Sequence, residues 1–459
     1  MRQSRFVIVA NTLPVRLVSD DGEERWETSP GGLVSALAPI ARHEGGAWVG
    51  WTGEPDRERP PFERDGILLV PVAISTQQIE GSYEGVCNRT VWPLYHRVVR
   101  PPEYHRRWWR RYLEVNERFA ATAADVVAPG GTVWVHDYHL QLVPDMLRRL
   151  RGDVRIGFFL HIPFPPEELF VQLPWRRQVA EGILGADVLG FQTHADARNF
   201  LRVASRLSAA RRTRNHLQVG DRTVTVGTFP VSIDTRRYAT VAEQPEVVAQ
   251  AEQIRLQLGS ARKVFLGVDR LDYTKGIDVR LKAFQQLLAS RPGTAREAVF
   301  VQVAVPSRER IAEYQELRRL VEELVGQING EHGEVGTAVV HYLHRNLPFE
   351  ELVAMYQAAD VMVVTPLCDG MNLVAKEYVA ARFDDTGVLI LSEFAGAASE
   401  LRTALQVNPH DVNGMAEAME RALVMSPAEV RRRMRAMRRV VHEHDVHRWA
   451  RRFLHALHG

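Results

Sequence analysis

Short apolar runs alternate with longer amphipathic stretches along the whole chain, in two successive series. Residues 6–10, 133–135, 156–160 and 188–191 are the apolar runs of the first series, and 264–268, 299–303, 339–341, 361–365 and 388–391 those of the second. Runs without polar alternation predict strands buried on both faces, as in parallel sheets. The stretches between them, such as 33–42, 141–151, 195–207, 309–328 and 348–358, carry helical periodicity. Strands alternating with helices predict open, doubly wound α/β sheets. Two series over 459 residues exceed one domain of ordinary size. The stretch "FPVSIDTRRYATVAEQPEV" (229–247) has the turn chemistry of a junction. The expected division is a first Rossmann-like domain over 1–236, a second over 237–440, and a helix over 441–459 that returns to the first. In such sheets ligands bind outside the carboxyl ends of the strands, so a cleft between two facing domains is the expected site.

Composition excludes several function classes. A formal net charge of +2 gives no general attraction for nucleic acid or an acidic membrane. Basic runs do occur, "RRWWRR" (106–111) and "RRRMRAMRR" (431–439), and they read as solvated helix faces. Only Lys263, Lys275, Lys282 and Lys376 are lysines; every other side-chain cation is arginine or histidine. Ammonium and guanidinium are not interchangeable at a tight site, which draws attention to Lys275 and Lys376. Two cysteines, Cys87 and Cys368, cannot form a disulfide framework or a zinc site. Neither a leader-like apolar region nor eighteen consecutive apolar residues occur, so a soluble cytoplasmic protein is expected.

The motifs fall at predicted strand ends. In "TSPGGLVSALAPI", Gly31 and Gly32 precede a helix whose first amides could meet a phosphate, although Pro-Gly-Gly is also an ordinary turn. In "VFLGVDRLDYTKG" (264–276) a buried strand gives way abruptly to Arg270 and Lys275. Two converging cations suit a diphosphate; a salt-bridged pair with Asp269 and Asp272 is the plainer reading. "TPLCDGMNLVAKEYVAA" (365–381) reads as strand, tight loop and helix. Asp369 could bind sugar hydroxyls and Glu377 a ribose; Asp369 and Asn372 could equally cap the helix. In the first series "VWVHDYHLQLVP" places Asp137, and "IGFFLHIPFPPEELF" places His161, immediately after a strand. The spacing of His136 and His139 suggests no metal site. No G-x-G-x-x-G follows the first strand, which argues against a dehydrogenase.

These blocks, with "SPGGL", "LGFQT", "INGEHGEVG" and "LSEFAGAASEL", closely resemble the trehalose-6-phosphate synthase family of retaining glycosyltransferases, from about residue 5 to 455 and in the same order. The resemblance implies the GT-B arrangement of two Rossmann-like domains, acceptor-binding then nucleotide-sugar-binding. It implies transfer of glucose from a nucleotide-diphosphate glucose, foremost UDP-glucose, to glucose 6-phosphate, giving α,α-trehalose 6-phosphate. It places Gly31, Gly32, Arg270, Lys275, Leu373, Val374, Lys376 and Glu377 at the donor, with Leu347 against the nucleoside. It places His161 and Asp369 on the transferred glucose, and Tyr83, Trp92, Asp137 and Arg308 at the acceptor. His161, Asp369, Arg270 and Lys275 would carry the catalysis, with no metal or other cofactor, by a front-face route in which the departing phosphate takes the acceptor's proton. A symmetric homo-oligomer is expected.

Two positions depart from the family pattern. Thr12 in "VIVANTLPV" stands where the family has an arginine for the acceptor phosphate, and Cys368 stands where it has one beside Asp369. Thr12 supplies no charge, so phosphate recognition would rest on Arg308 and Tyr83. Two alternatives stay open: a related transferase or pseudo-glycosyltransferase with another acceptor, and a GDP- or ADP-glucose donor. A catalytically weak binding protein is opposed by the intact Arg270, Lys275, His161 and Glu377.

Overall fold

Val264, Phe265, Leu266 and Val268 are all buried in the computed structural model, on both faces of a central strand. The structure describes residues 3–20, 23–29 and 32–459. It divides into two units, one of residues 1–231 with 447–459 and one of residues 232–446. The sequence-based limits at 236/237 and 440/441 differ from these by a few residues.

The first unit is built on a ten-stranded sheet. Seven strands run parallel, in the spatial order Arg222–Thr228, Val188–Phe191, Arg155–Phe159, Val127–His136, Ser4–Thr12, Ala47–Trp51 and Ile67–Pro71. Chain order reverses between Ser4–Thr12 and Val127–His136. That reversal is a topological switch point, where neighbouring connections leave in opposite directions and open a crevice. Helices cover the sheet for local reasons. Thr193 and Asp196 form a reciprocal capping box that starts His194–Leu207. "RRWWRR" opens Arg106–Val126, whose Trp108, Trp109 and Tyr112 are buried. Trp109 stacks on Trp175 at 4.7 Å with 2° between the rings. The last helix, Val446–His458, lies against this sheet. Its Phe453 stacks on Trp134 at 4.6 Å, and a Cβ at Gly157 or Gly190 would come within 2.6 or 2.8 Å of the Phe453 ring. Those two strands lack side chains where the helix needs room.

The second unit holds six parallel strands in the order Val340–Leu343, Ala298–Val305, Lys263–Arg270, Val361–Val364, Val388–Ser392 and Leu405–Val407. Numbered along the chain this is 3-2-1-4-5-6, the Rossmann order, with its switch point between Lys263–Arg270 and Val361–Val364. "RRRMRAMRR" lies in the helix Pro427–Glu443, which buries Met434, Met437 and Val441 and leaves Arg431, Arg432 and Arg439 exposed. The expected α/β class with mainly parallel sheets is therefore present in both units. No helix among the described residues is long and apolar enough to cross a membrane.

Candidate functional site

Arg270 ends, and Lys275, Asp369 and Asp137 follow, strands that flank the switch point of their sheet. In the second unit, Arg270 ends its strand exposed to solvent. The chain then turns through Asp272, whose side chain accepts from the Thr274 backbone N–H at 3.0 Å and the Thr274 hydroxyl at 2.9 Å. Gly276 closes the turn at φ 61°, where a Cβ would sit 2.5 Å from the Thr365 carbonyl oxygen. Only glycine fits that position. The turn aims Lys275 at the loop after Val361–Val364, and its Nζ donates to Asp369 Oδ2 at 2.6 Å.

Asn372 completes this contact. It stands at φ 70° as the N-cap of Leu373–Ala381, accepts from the Ala375 N–H at 3.3 Å and donates to Asp369 Oδ2 at 3.0 Å. Capping thus falls to Asn372, while Asp369 is held toward Lys275. Leu373 and Val374 form the half-buried first turn of that helix. The other donor-site candidates are tied into the second unit. Lys376 is 1% exposed, its Nζ bonded to Glu400 Oε2 at 2.7 Å. Burial lowers its pKa while Glu400 opposes that shift. Glu377 accepts from the Tyr356 hydroxyl at 2.8 Å. Burial raises the Glu377 pKa, with Tyr356 and Tyr238 holding it back. Leu347 is buried just ahead of the helix Phe349–Ala358. Cys368 is buried in the loop before Asp369.

Arg308, at φ 52°, donates from Nη1 to Asp272 Oδ2 at 2.8 Å and to the Tyr314 hydroxyl. Burial pushes the Asp272 carboxyl up, but the charges of Arg308, Arg270 and Lys275 outweigh it and hold the pKa down at about 2. Asp272 therefore joins three of the predicted cations electrostatically. Sequence reasoning missed the support beneath them. Arg280 is fully buried and bonds Asp269 Oδ2 at 2.5 Å, Gln302 Oε1 at 3.2 Å, Thr365 Oγ1 at 3.1 Å and the Lys275 carbonyl at 3.0 Å. Its signal was legible: an arginine in the apolar stripe of Ile277, Leu281, Phe284 and Leu288.

In the first unit Asp137 follows Val127–His136 at φ 73°, and its Oδ1 accepts from the His161 backbone N–H at 3.2 Å. Its Oδ2 lies 4.0 Å from His139 Nδ1, and the His139 ring stacks on Tyr83 at 5.8 Å. Tyr83 lies in Ile79–Val91, a π-helix, a form uncommon at such length and associated with functional sites. Trp92 follows it, buried, 5.6 Å from the Tyr138 ring. Tyr83, His139, Asp137 and His161 form one continuous group. Burial lowers the His161 pKa to about 3, so its ring is neutral near pH 7. Thr12 ends its strand half-buried, with its carbonyl accepting from Trp48 Nε1 at 3.0 Å. Gly32 opens the helix Gly32–His43, and Gly31 lies outside the described residues. Among the described residues no three His, Cys, Asp or Glu side chains gather as a metal site.

Known proteins are similar to this chain along its length. Residues 4–459 match Glycosyltransferase family 20. Trehalose-6-phosphate synthase of Mycolicibacterium smegmatis is 55% identical over 464 residues, covering 99% of this chain and 92% of its own length. That of Mycobacterium avium is 55% identical over 470 residues, covering 99% and 95%. A solved UDP-forming α,α-trehalose-phosphate synthase from Burkholderia xenovorans, in complex with glucose-6-phosphate, is 34% identical with a TM-score of 0.91, covering 99% of this chain and 100% of that one. A structure from E. coli bound with UDP-2-fluoro glucose is 33% identical with a TM-score of 0.90, covering 98% of each chain. By family profile, relatives and fold alike, the chain belongs to glycosyltransferase family 20 and is a glycosyltransferase.

Proposed function

We propose that the chain is a trehalose-6-phosphate synthase that moves glucose from UDP-glucose to glucose 6-phosphate with retention, giving α,α-trehalose 6-phosphate. One observation carries the chemistry: Arg270 and the Lys275–Asp369 pair stand at the switch point of a Rossmann-ordered sheet. The UDP-forming and glucose-6-phosphate-bound relatives support the choice of substrates.

Breaking the bond from glucose to the β-phosphate puts negative charge on a phosphate oxygen. Arg270 and Lys275 offset that charge in place, and the first amides of Leu373–Ala381 add a favourable dipole. Glu377, steadied by Tyr356, takes the ribose hydroxyls. Asp369 is ion-paired and amide-bonded, which suits it to orient sugar hydroxyls and makes it a poor nucleophile. His161, neutral, contributes a hydrogen bond rather than a proton. The departing phosphate accepts the proton of the acceptor hydroxyl that attacks on the same face, so no protein base is required and no metal step enters this scheme. Asp137, Tyr83 and Trp92 position the acceptor, and Arg308 is the cation assigned to its phosphate.

Thr12 favours a second reading, a transferase whose acceptor lacks phosphate. A screen decides: glucose 6-phosphate against glucose, each with UDP-, GDP- and ADP-glucose, with the product linkage determined by NMR. The expected result is α,α-1,1-linked trehalose 6-phosphate from UDP-glucose and glucose 6-phosphate. Equal turnover of the two acceptors sinks the phosphate-recognition role of Arg308. Thr12→Arg should lower the KM for glucose 6-phosphate about tenfold or more, since a charge-assisted hydrogen bond contributes about 1.5–3 kcal/mol.

A further inference from the structure

His161 is half-buried, and behind it lies a second imidazole that the proposed chemistry leaves unused. His136, the last residue of Val127–His136, is fully buried. Its Nδ1 and the His161 Nε2 share one hydrogen bond of 3.1 Å. Burial, and then the neighbouring His161, lowers the His136 pKa well below its ordinary value, so both rings are neutral and a single proton lies between them. That proton has two possible homes, with different consequences.

If His161 donated from Nε2, His136 would carry its own proton on Nε2. That nitrogen is buried and has no hydrogen-bond partner among the described residues. The indole Nε1–H of Trp134, whose ring lies 4.7 Å away centroid to centroid, is likewise buried and lacks an acceptor. The arrangement would add a second orphaned donor beside the first. If instead His136 donates from Nδ1, its Nε2 holds only a lone pair. An unsatisfied buried acceptor is the lesser penalty, and orphaned buried N–H groups are rare. The second arrangement prevails, and it forces the His161 proton onto Nδ1.

We propose that His136 is a positioning residue that fixes His161 as the Nδ1–H tautomer, making His161 a hydrogen-bond donor to an oxygen of the transferred sugar; this rests on the proposed contact between His161 and that sugar. The partner ring sets the tautomer, as a hydrogen bond to one imidazole nitrogen determines the state of the other. His161 then cannot serve as a base through Nε2, because that lone pair is occupied by His136. Asp137 adds position without touching the ring, since its carboxylate takes the His161 backbone N–H.

Long-range proton–nitrogen NMR of the full chain carrying nitrogen-15 histidine reads the tautomer directly, with the His161 signals assigned by their loss in His161→Asn. Wild type should show His161 protonated on Nδ1 and bare on Nε2. His136→Phe should release that preference and lower kcat with UDP-glucose and glucose 6-phosphate about tenfold, equivalent to about 1.4 kcal/mol. His136→Asn, whose amide N–H can stand near the lost Nδ1–H, should restore both spectrum and rate. A wild-type His161 protonated on Nε2 overturns the proposal, as does a His136→Phe enzyme with unchanged spectrum and rate. Should His136→Phe fail to fold, the wild-type and His136→Asn spectra still decide. Full transfer activity in His161→Ala would instead remove the sugar contact, leaving the spectrum to judge the tautomer alone.

Discussion

Lys275 Nζ lies 2.6 Å from Asp369 Oδ2, so the ammonium after the first strand of the second sheet neutralises the carboxylate after the fourth. The two side chains are mostly buried, and each is the other's charge partner. Lys275→Ala strips that carboxylate of the ammonium and leaves the Asn372 amide bonded to it. The variant should lose about 3 kcal/mol of local stability, and adding Asp369→Asn should recover more than half of it. Transfer should fall at least about a thousandfold in kcat/KM, because a fixed charge aimed at the leaving phosphate is lost. Thermal melts and initial rates of the two singles and the double complete the cycle. Wild-type transfer by Lys275→Ala defeats the donor-site assignment.

Arg280 carries no ligand in the proposed scheme yet braces the turn that presents Lys275. Burial raises the Asp269 pKa, while the charges of Arg280 and Lys275 pull it down. Against an always-charged guanidinium at 2.5 Å the carboxylate stays ionised at neutral pH. Arg280→Met leaves a buried, uncompensated charge and should cost about 3–5 kcal/mol, with Arg280→Met/Asp269→Asn closer to wild type. Hydrogen exchange of Lys263–Arg270 is the measurement, and unchanged protection in the single variant refutes it.

Acid should weaken the first unit in a defined window. The folded pKa values of His136 and His161 are lowered, the latter to about 3, so below about pH 6.5 the unfolded chain binds these protons first. The stability tied to the neutral pair is complete above pH 6.5 and is lost progressively as pH falls toward 3. The slope is at most about 1.4 kcal/mol per pH unit for each ring. Replacing both histidines with asparagine should flatten the curve between pH 6 and 4. An identical slope in that variant would show that the pair does not titrate as described.

Phe453 fills the space that Gly157 and Gly190 leave, against Trp134, Phe159 and Phe229. Phe453→Ala should cost about 3–5 kcal/mol, felt in strands far earlier in the sequence. Faster exchange in the strands Arg155–Phe159 and Val188–Phe191 is the expected readout. Undisturbed exchange there would mean that the last helix does not anchor the sheet.

Much of the fold was legible because its strands are buried on both faces and leave uninterrupted apolar runs. Val188–Phe191 was located to the residue, and Lys263–Arg270 and Val388–Ser392 within two. Leu405–Val407 went unseen because three residues carry no periodicity. The π-helix Ile79–Val91 went unseen because its turn matches neither a period of 2 nor one of 3.6. At the site, sequence located the charged groups at strand ends and left their partners undefined. The Lys275–Asp369 contact joins residues 94 apart, and that of Glu377 with Tyr356 joins residues 21 apart. Pairings of that kind follow from strand order, which no local pattern encodes. Lys376, marked out by its rarity, is another case: its ammonium meets Glu400 at 2.7 Å, a partner that no local pattern announced.

Because residues 447–459 belong with residues 1–231, the ribosome makes this piece of the first unit only after the whole of the second. Residues 232–446 form an uninterrupted stretch and can close while synthesis continues. The earlier-made sheet meanwhile waits with Trp134 and Phe159 uncovered, a surface suited to chaperones and proteases. A message that stopped just before residue 447 would thus spoil the portion translated first and spare the portion translated after it.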